Sequence, residues 1–225
     1  LEQSSPFVPA AAHAVACQGV LGAYSHIAAR RLFQDECLHF YPHFEDVFQA
    51  VVSGDADFGV LPVENSNAGS VMDVYELLKR YNIYIARRVK IKVEHCLAAL
   101  PGTNFSEIQE VYSHEQAVRQ CSSFLKEHQL QTRIYSNTAA SAELVAHSRP
   151  DKHLGVICSE LAAQRNGLRI LKRGIANIDE NYTRFIVISK TPKHSQDDDL
   201  ISISFSLPHT VGSLYRMLTK FYVYN

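Results

Sequence analysis

An excess of charge of either sign is missing from this 225-residue sequence: 22 Lys and Arg stand against 23 Asp and Glu, with few charge runs. A surface that tracks phosphates shows a basic excess, so nucleic-acid and membrane-surface partners are excluded and the expected partner is a small molecule. Cys-x-x-Cys spacing is also missing. The five cysteines, Cys17, Cys37, Cys96, Cys121 and Cys158, stand singly, which points away from a disulfide framework or a zinc site and toward reduced thiols in a cytoplasmic protein. The eleven histidines form no His-Glu-x-x-His pattern and join no compact carboxylate cluster, so no metal site is expected. No positive segment followed by a long apolar core precedes Ala14-Val15-Ala16-Cys17, whose likeness to a lipoprotein cleavage site is therefore accidental.

What is present is an alternation of short apolar runs with amphipathic helices, the pattern of an α/β protein with room for a real core. Residues 1–13, rich in Ser, Pro and Ala, read as a tail or linker. Ala14 to Gln18 reads as a strand, followed by a glycine-bearing turn and a helix over Ile27 to Gln34 with Ser25 as its cap. Leu38 to Tyr41 is a second strand, and Phe44 to Val52 a helix that stops at Ser53-Gly54. Asp57 to Val63 is a strand that delivers Glu64, Asn65 and Ser66 into a small-residue loop before a helix over Val71 to Arg80. The run from Ile83 to Leu100 passes into a second lobe near Val93 to Cys96, its Arg87, Arg88, Lys90 and Lys92 reading as a solvated strand face. In that lobe Ser113 is expected to cap a helix over Glu115 to His128, and Thr138 and Ala139 to open another after a strand over Gln131 to Ser136. A strand over Lys152 to Ser159 and a helix over Leu161 to Asn166 follow. Gly167 to Ile178 then returns the chain to the first lobe. Ile186, Val187 and Ile188 form a β-branched run of the kind buried on both faces, which would hold Thr183 and Arg184 at the rim of a sheet, where α/β proteins keep their ligands.

Four helices thus start directly after strands, at Ser25, Ser70, Ser113 and Thr138, with small or hydroxyl residues that let a ligand approach the backbone. A helix start carries free N–H groups and about half a positive charge, so four facing one cleft would hold an anion with little help from Lys or Arg.

The triplet Thr183-Arg184-Phe185 resembles the signature of the prephenate dehydratases, which convert prephenate to phenylpyruvate in phenylalanine biosynthesis. Gly22-Ala23-Tyr24-Ser25-His26, Glu64-Asn65-Ser66, Ser113-His114-Glu115-Gln116 and Asn137-Thr138-Ala139 resemble the family in the same order. The resemblance implies a two-lobed catalytic domain like a type II periplasmic binding protein over 14–190, with 14–93 and 176–190 as one lobe and 94–175 as the other. It implies no cofactor, Thr183 as the catalytic hydroxyl, and Ser25, Glu64, Asn65, Ser66, Ser113, His114, Gln116, Thr138, Ala139, Arg184 and Phe185 as substrate-binding. Residues 198–225, with alternating Ile201, Ile203 and Phe205 followed by Pro208 to Leu214 and a helix to about Tyr222, look like the first strand and helix of an α+β ACT regulatory domain. Phenylalanine would be an effector only with a complete ACT domain; a homo-oligomer is a further expectation, and residues 1–13 fit a linker of the kind that follows the chorismate mutase domain many family members carry before the dehydratase. The alternatives are arogenate dehydratase, which acts on the amino counterpart of prephenate, and a non-catalytic solute-binding or sensor module of the same fold.

Overall fold

The computed structural model describes residues 4–196, 198, 201–203 and 205–224, which fall into two units, 1–195 and 196–225. The first unit contains two large sheets. One has the order Leu38–Tyr41, Val15–Gln18, Phe58–Asn65, Tyr182–Ser189, Tyr84–Lys92, with the short Gly69–Ser70 strand paired to the end of Phe58–Asn65. Its first three strands are parallel, whereas Tyr182–Ser189 runs antiparallel to both neighbours. A strand from far down the chain thus closes the sheet begun by the N-terminal half, the arrangement of a two-lobed, type II periplasmic-binding-protein-like fold. The other sheet has the order Arg169–Lys172, Cys96–Ala99, Leu154–Cys158, Glu110–Ser113, Gln131–Ile134.

The β-branched run is covered on both faces. Phe185 and Val187 pack with Val15, Cys17 and the helix residues Ala28 and Ala29, while Ile186 and Ile188 pack with Val47, Phe48 and Val51 on the opposite side. Successive side chains of a strand point to opposite faces, so an unbroken apolar run is what a central strand between two helix layers requires. Cys17 sits in the same core, fully buried, with its thiol pushed up to about 12 by burial.

Several local expectations are corrected. The segment read as a tail is bound to the first sheet's lobe: Ser5–Pro6 pairs with Lys193–His194, and the Phe7 ring lies 5.2 Å from that of Phe58 and 6.2 Å from that of Phe33. One large apolar side chain anchors a stretch whose Ser, Pro and Ala content hides it. The helix that follows the glycine turn is Tyr24–Arg30, starting earlier than expected; Ser25 lies inside it and donates to the Gln18 carbonyl, so it is not a cap. The helix expected over Glu115 to His128 is broken at Cys121 into Glu115–Gln120 and Ser122–Glu127. Asn177 occupies the break, its N–H donating to the Gln120 carbonyl at 2.7 Å and its Oδ1 accepting from the Ser123 N–H at 3.0 Å. Ser113 does not cap this helix; His114 does, its Nδ1 accepting from the Gln116 N–H at 3.2 Å.

In the second unit, described by itself, the strand expected over 200–207 does not form among the described residues 201–203 and 205–207, and Ile201, Ile203 and Phe205 are exposed. A strand needs a ladder partner, and the described residues of this unit include no other strand. Leu200 and Ser204 lie outside the described residues. A helix over Ser213–Val223 follows a turn at Gly212, whose φ of 80° suits glycine. Among the described residues, no helix is long and apolar enough to cross a membrane.

Candidate active site

Residues from both lobes meet around a cavity of about 470 Å³, a size suited to a small metabolite. Its floor comes from the pairing of Phe58–Asn65 with Tyr182–Ser189. Thr183 lies opposite Asn65 and Arg184 opposite Glu64, but Phe185 lies opposite Pro62, so Val63 is an extra residue on its strand. That bulge changes which side chains share a face: Thr183 and Phe185 line the cavity together with Asn65 and Pro62. Arg184 and Glu64, both expected to bind substrate, are outside the cavity wall and pair with each other, Nη1 to Oε2, at 2.7 Å on an exposed surface.

Asn65 organises the floor. Its Oδ1 accepts from the backbone N–H groups of Asn67 and Ala68, both at 3.0 Å, a turn that fixes the amide orientation. Its Nδ2 therefore faces inward and donates to Thr183 Oγ1 and to Asn181 Oδ1, each at 2.9 Å. Asn181 Nδ2 donates in turn to Gln120 Oε1 at 3.2 Å, and the same oxygen lies 2.8 Å from His95 Nε2. Four of these five side chains line the cavity; Asn181, 1% exposed, stands behind them. Burial holds the His95 imidazole below its ordinary pKa, partly offset by the Gln120 hydrogen bond. Beside it, the Tyr24 ring stands edge-on at 6.1 Å, and its hydroxyl donates to the Glu94 carbonyl at 2.7 Å.

Of the remaining expected residues, Ser25, His114, Gln116 and Thr138 line the cavity. Ser66 does not; its Oγ accepts from the Tyr182 N–H at 3.0 Å and ties the loop to the strand. Ser113 is fully buried and donates to the Ile157 carbonyl at 2.7 Å, and Ala139 is buried in the core of the second lobe. Reading the sequence left out Tyr24, His95, Gln120 and Asn137, all of which line the cavity, and Asn181 behind it. Gln120 had a signal: it follows Gln116 by four residues, one helical turn, and so shares its face. His95 and Asn181 lie on the two crossings between the sheets, where periodicity is silent.

The lining includes no Lys, Arg, Asp or Glu. The starts of the helices Tyr24–Arg30, Met72–Arg80, Glu115–Gln120 and Thr138–Ala146 border it instead, supplying the electropositive character that charged side chains do not. Among the described residues no group of three His, Cys, Asp or Glu side chains is placed to hold a metal ion.

Residues 15–193 match the family model described as prephenate dehydratase. The chain is 36% identical over 181 residues to the bifunctional chorismate mutase/prephenate dehydratase of Escherichia coli (strain K12), covering 78% of this chain and 47% of that protein. It is also 36% identical over 209 residues to arogenate dehydratase/prephenate dehydratase 2, chloroplastic, of Arabidopsis thaliana, covering 92% of this chain and 55% of that protein. The chain thus spans about half the length of the curated relatives it matches. Among solved structures, it is similar to GqqA, described as a novel type of quorum quenching acylase, with a TM-score of 0.77 and 29% identity over 93% of this chain and 77% of that one.

Proposed function

Because the chain belongs to the prephenate dehydratase family, we propose that it catalyses the decarboxylating dehydration of prephenate to phenylpyruvate, a step of L-phenylalanine biosynthesis, as a carbon–oxygen lyase. The observation that carries this reading is the state of the Thr183 hydroxyl. Its oxygen accepts from Asn65 Nδ2, and no acceptor among the described residues takes its hydrogen. Thr183 is nearly buried and lines the cavity, so its hydrogen is left for an acceptor there.

The chemistry suits such a group. The bond from the ring to its carboxylate breaks and releases carbon dioxide; the electron pair completes an aromatic ring, and the ring hydroxyl departs with the electrons of its own bond. Aromatisation supplies the driving force. What the protein must supply is a hydrogen bond to the oxygen on which negative charge develops, and a threonine hydroxyl does this without becoming an acid of unusual strength. Phe185, 2% exposed at the edge of the cavity, walls the ring side. The helix starts favour the substrate's carboxylates. Ser25, Asn65, His114, Gln116 and Thr138 then position substrate, and the lobes are taken as 14–93 with 176–190 and 94–175.

Arogenate is the second reading. It carries an ammonium group, and the lining has no carboxylate to receive one, which favours prephenate. An acylase reading needs an activated nucleophile; among the hydroxyls that line the cavity, Ser25 donates to a backbone carbonyl, Tyr24 to the Glu94 carbonyl and Thr183 is held by an amide, and neither these nor Ser70, Ser136 or Thr138 hydrogen-bonds a histidine among the described residues. We also take the protein to act in the cytoplasm as a homo-oligomer, and residues 198–225 to open an ACT domain that would bring phenylalanine as an effector. The test is to supply purified protein with prephenate and with arogenate and to follow phenylpyruvate and phenylalanine. Phenylpyruvate formed at a higher kcat/KM supports the proposal; no product from either overturns it.

A further inference from the structure

The directions of the hydrogen bonds around Thr183 follow from one backbone feature. Two N–H groups, of Asn67 and Ala68, point at one end of the Asn65 amide. A backbone N–H only donates, so that end is the oxygen, and the other end donates. The Asn181 atom that meets it is therefore an oxygen, and the Asn181 atom 3.2 Å from Gln120 is a nitrogen. Gln120 must answer with its oxygen. His95 Nε2, 2.8 Å from that same oxygen, must then carry the ring hydrogen, which leaves Nδ1 as the bare nitrogen. Nδ1 is buried without a partner. The Gln120 oxygen is engaged twice, so its NH2 group, which makes no hydrogen bond among the described residues, is the polar end left for the cavity that Gln120 lines.

We propose that Asn181 is a positioning residue: it relays the amide polarity set by the Asn65 turn to Gln120 and His95, so that Gln120 faces the cavity as a hydrogen-bond donor and His95 is held in its Nε2–H form. Asn181 touches no substrate in this role. It lies on the returning crossing, whereas Gln120 belongs to the other lobe, so the relay makes the donor set depend on both lobes being assembled. The inference deepens the reading of the cavity as a prephenate site and rests on it for the role of Gln120, but the relay is physical and can be read without turnover.

Asn181→Asp is the test, because the new side chain has the same shape and only accepts. Gln120 then turns its NH2 toward residue 181 and its oxygen toward the cavity, and His95, now meeting a donor, moves its hydrogen to Nδ1. The ¹⁵N resonances of the imidazole report this directly: Nε2–H is expected in the parent protein and Nδ1–H in the variant. Should Asn181→Asp fold poorly, Asn65→Asp sends the same reversal through two amides and carries the same forecast. An imidazole that stays Nε2–H in the folded variants overturns the relay. For the functional half, kcat/KM on prephenate should fall at least tenfold in Asn181→Asp and less in Asn181→Ala, while Asn181→Ala loses more melting temperature. On a Gln120→Ala background the excess harm of Asp over Ala should vanish. Excess harm that persists on that background, or Ala the worse variant in both measures, overturns the positioning role. A parent protein inert on prephenate sinks the proposed function and leaves the tautomer result standing.

Discussion

Removing the Thr183 hydroxyl should separate catalysis from stability, and the surrounding bonds determine by how much. In Thr183→Ala the departing oxygen loses one oriented donor, and loss of one such donor costs about 2.7–4 kcal/mol in the transition state, or roughly 10²- to 10³-fold in turnover. Substrate affinity should change little, since the interaction strengthens only as charge appears on the leaving oxygen. The folding cost is smaller. Asn65 Nδ2 has two hydrogens and keeps two acceptors, Asn181 Oδ1 at 2.9 Å and the Tyr182 carbonyl at 3.3 Å, so the amide is not left unsatisfied. The loss is then that of one hydrogen bond and one methyl group, about 1–2 kcal/mol. Thr183→Ser keeps the donor and should keep much of the activity. Steady-state phenylpyruvate formation and melting temperature, measured on the same samples, check both halves. A well-folded Thr183→Ala protein whose turnover stays within about threefold of the parent would refute the role given to this hydroxyl.

Arg184→Ala and Glu64→Ala should each leave kcat within about threefold and cost no more than about 1 kcal/mol, because the pair is exposed and outside the cavity; a hundredfold loss in either would return them to the site. Gly22→Ala should destabilise by about 1–3 kcal/mol, since Gly22 has a φ of +85° and a Cβ there would lie 2.9 Å from the Ala162 Cα of the facing lobe; an unchanged melting curve would contradict the close approach. Burial lowers the pKa of both His26 and His95 from 6.5. As pH falls below that value the unfolded chain takes protons that the folded one refuses, so their contribution to stability is full above pH 6.5 and declines below it. The urea midpoint should therefore be lower at about pH 5.5 than at about pH 7.5, and a level or rising midpoint would count against it.

Legibility followed the range of the interaction. The strand Tyr182–Ser189 was visible because three consecutive β-branched residues need cover on two faces, and residues 186–188 have it. The position of Thr183 at the end of the sheet, beside the cavity, followed from that. That Asn65 and Pro62 share the cavity face with Thr183 and Phe185 did not follow, because the extra residue at Val63 exists only in the pairing of two strands more than a hundred residues apart. Ser113 and His114 show the same limit at shorter range: either could begin the helix, and a buried bond from Ser113 to the Ile157 carbonyl on the next strand decides between them. Phe7 was one aromatic in a Ser- and Pro-rich stretch, and only the neighbouring Phe33 and Phe58 give it a place. The alternation at Ile201, Ile203 and Phe205 was a true strand pattern without a strand, since pattern describes a face and says nothing of whether a partner is there.

The absence of charged side chains from the lining bears on how a dianion could react there. Through the proposed step the net charge in the cavity does not change; it moves from the ring carboxylate to the departing oxygen at the opposite side of the ring. A lysine or arginine clamped on the first position would stabilise the ground state and resist that movement. Helix starts and neutral amides favour anions more diffusely, and a donor held ready at the far end favours the destination over the origin. Such a donor is useful only if its hydrogen is uncommitted when substrate arrives. Here the chain sets its role, because the turn at Asn65 allows one orientation of one amide, the hydroxyl of Thr183 must accept from it, and its own hydrogen is left to donate. The feature most specific to the proposed chemistry is therefore the polarity of neutral groups, and a substitution that reverses one amide should harm this site more than one that removes it.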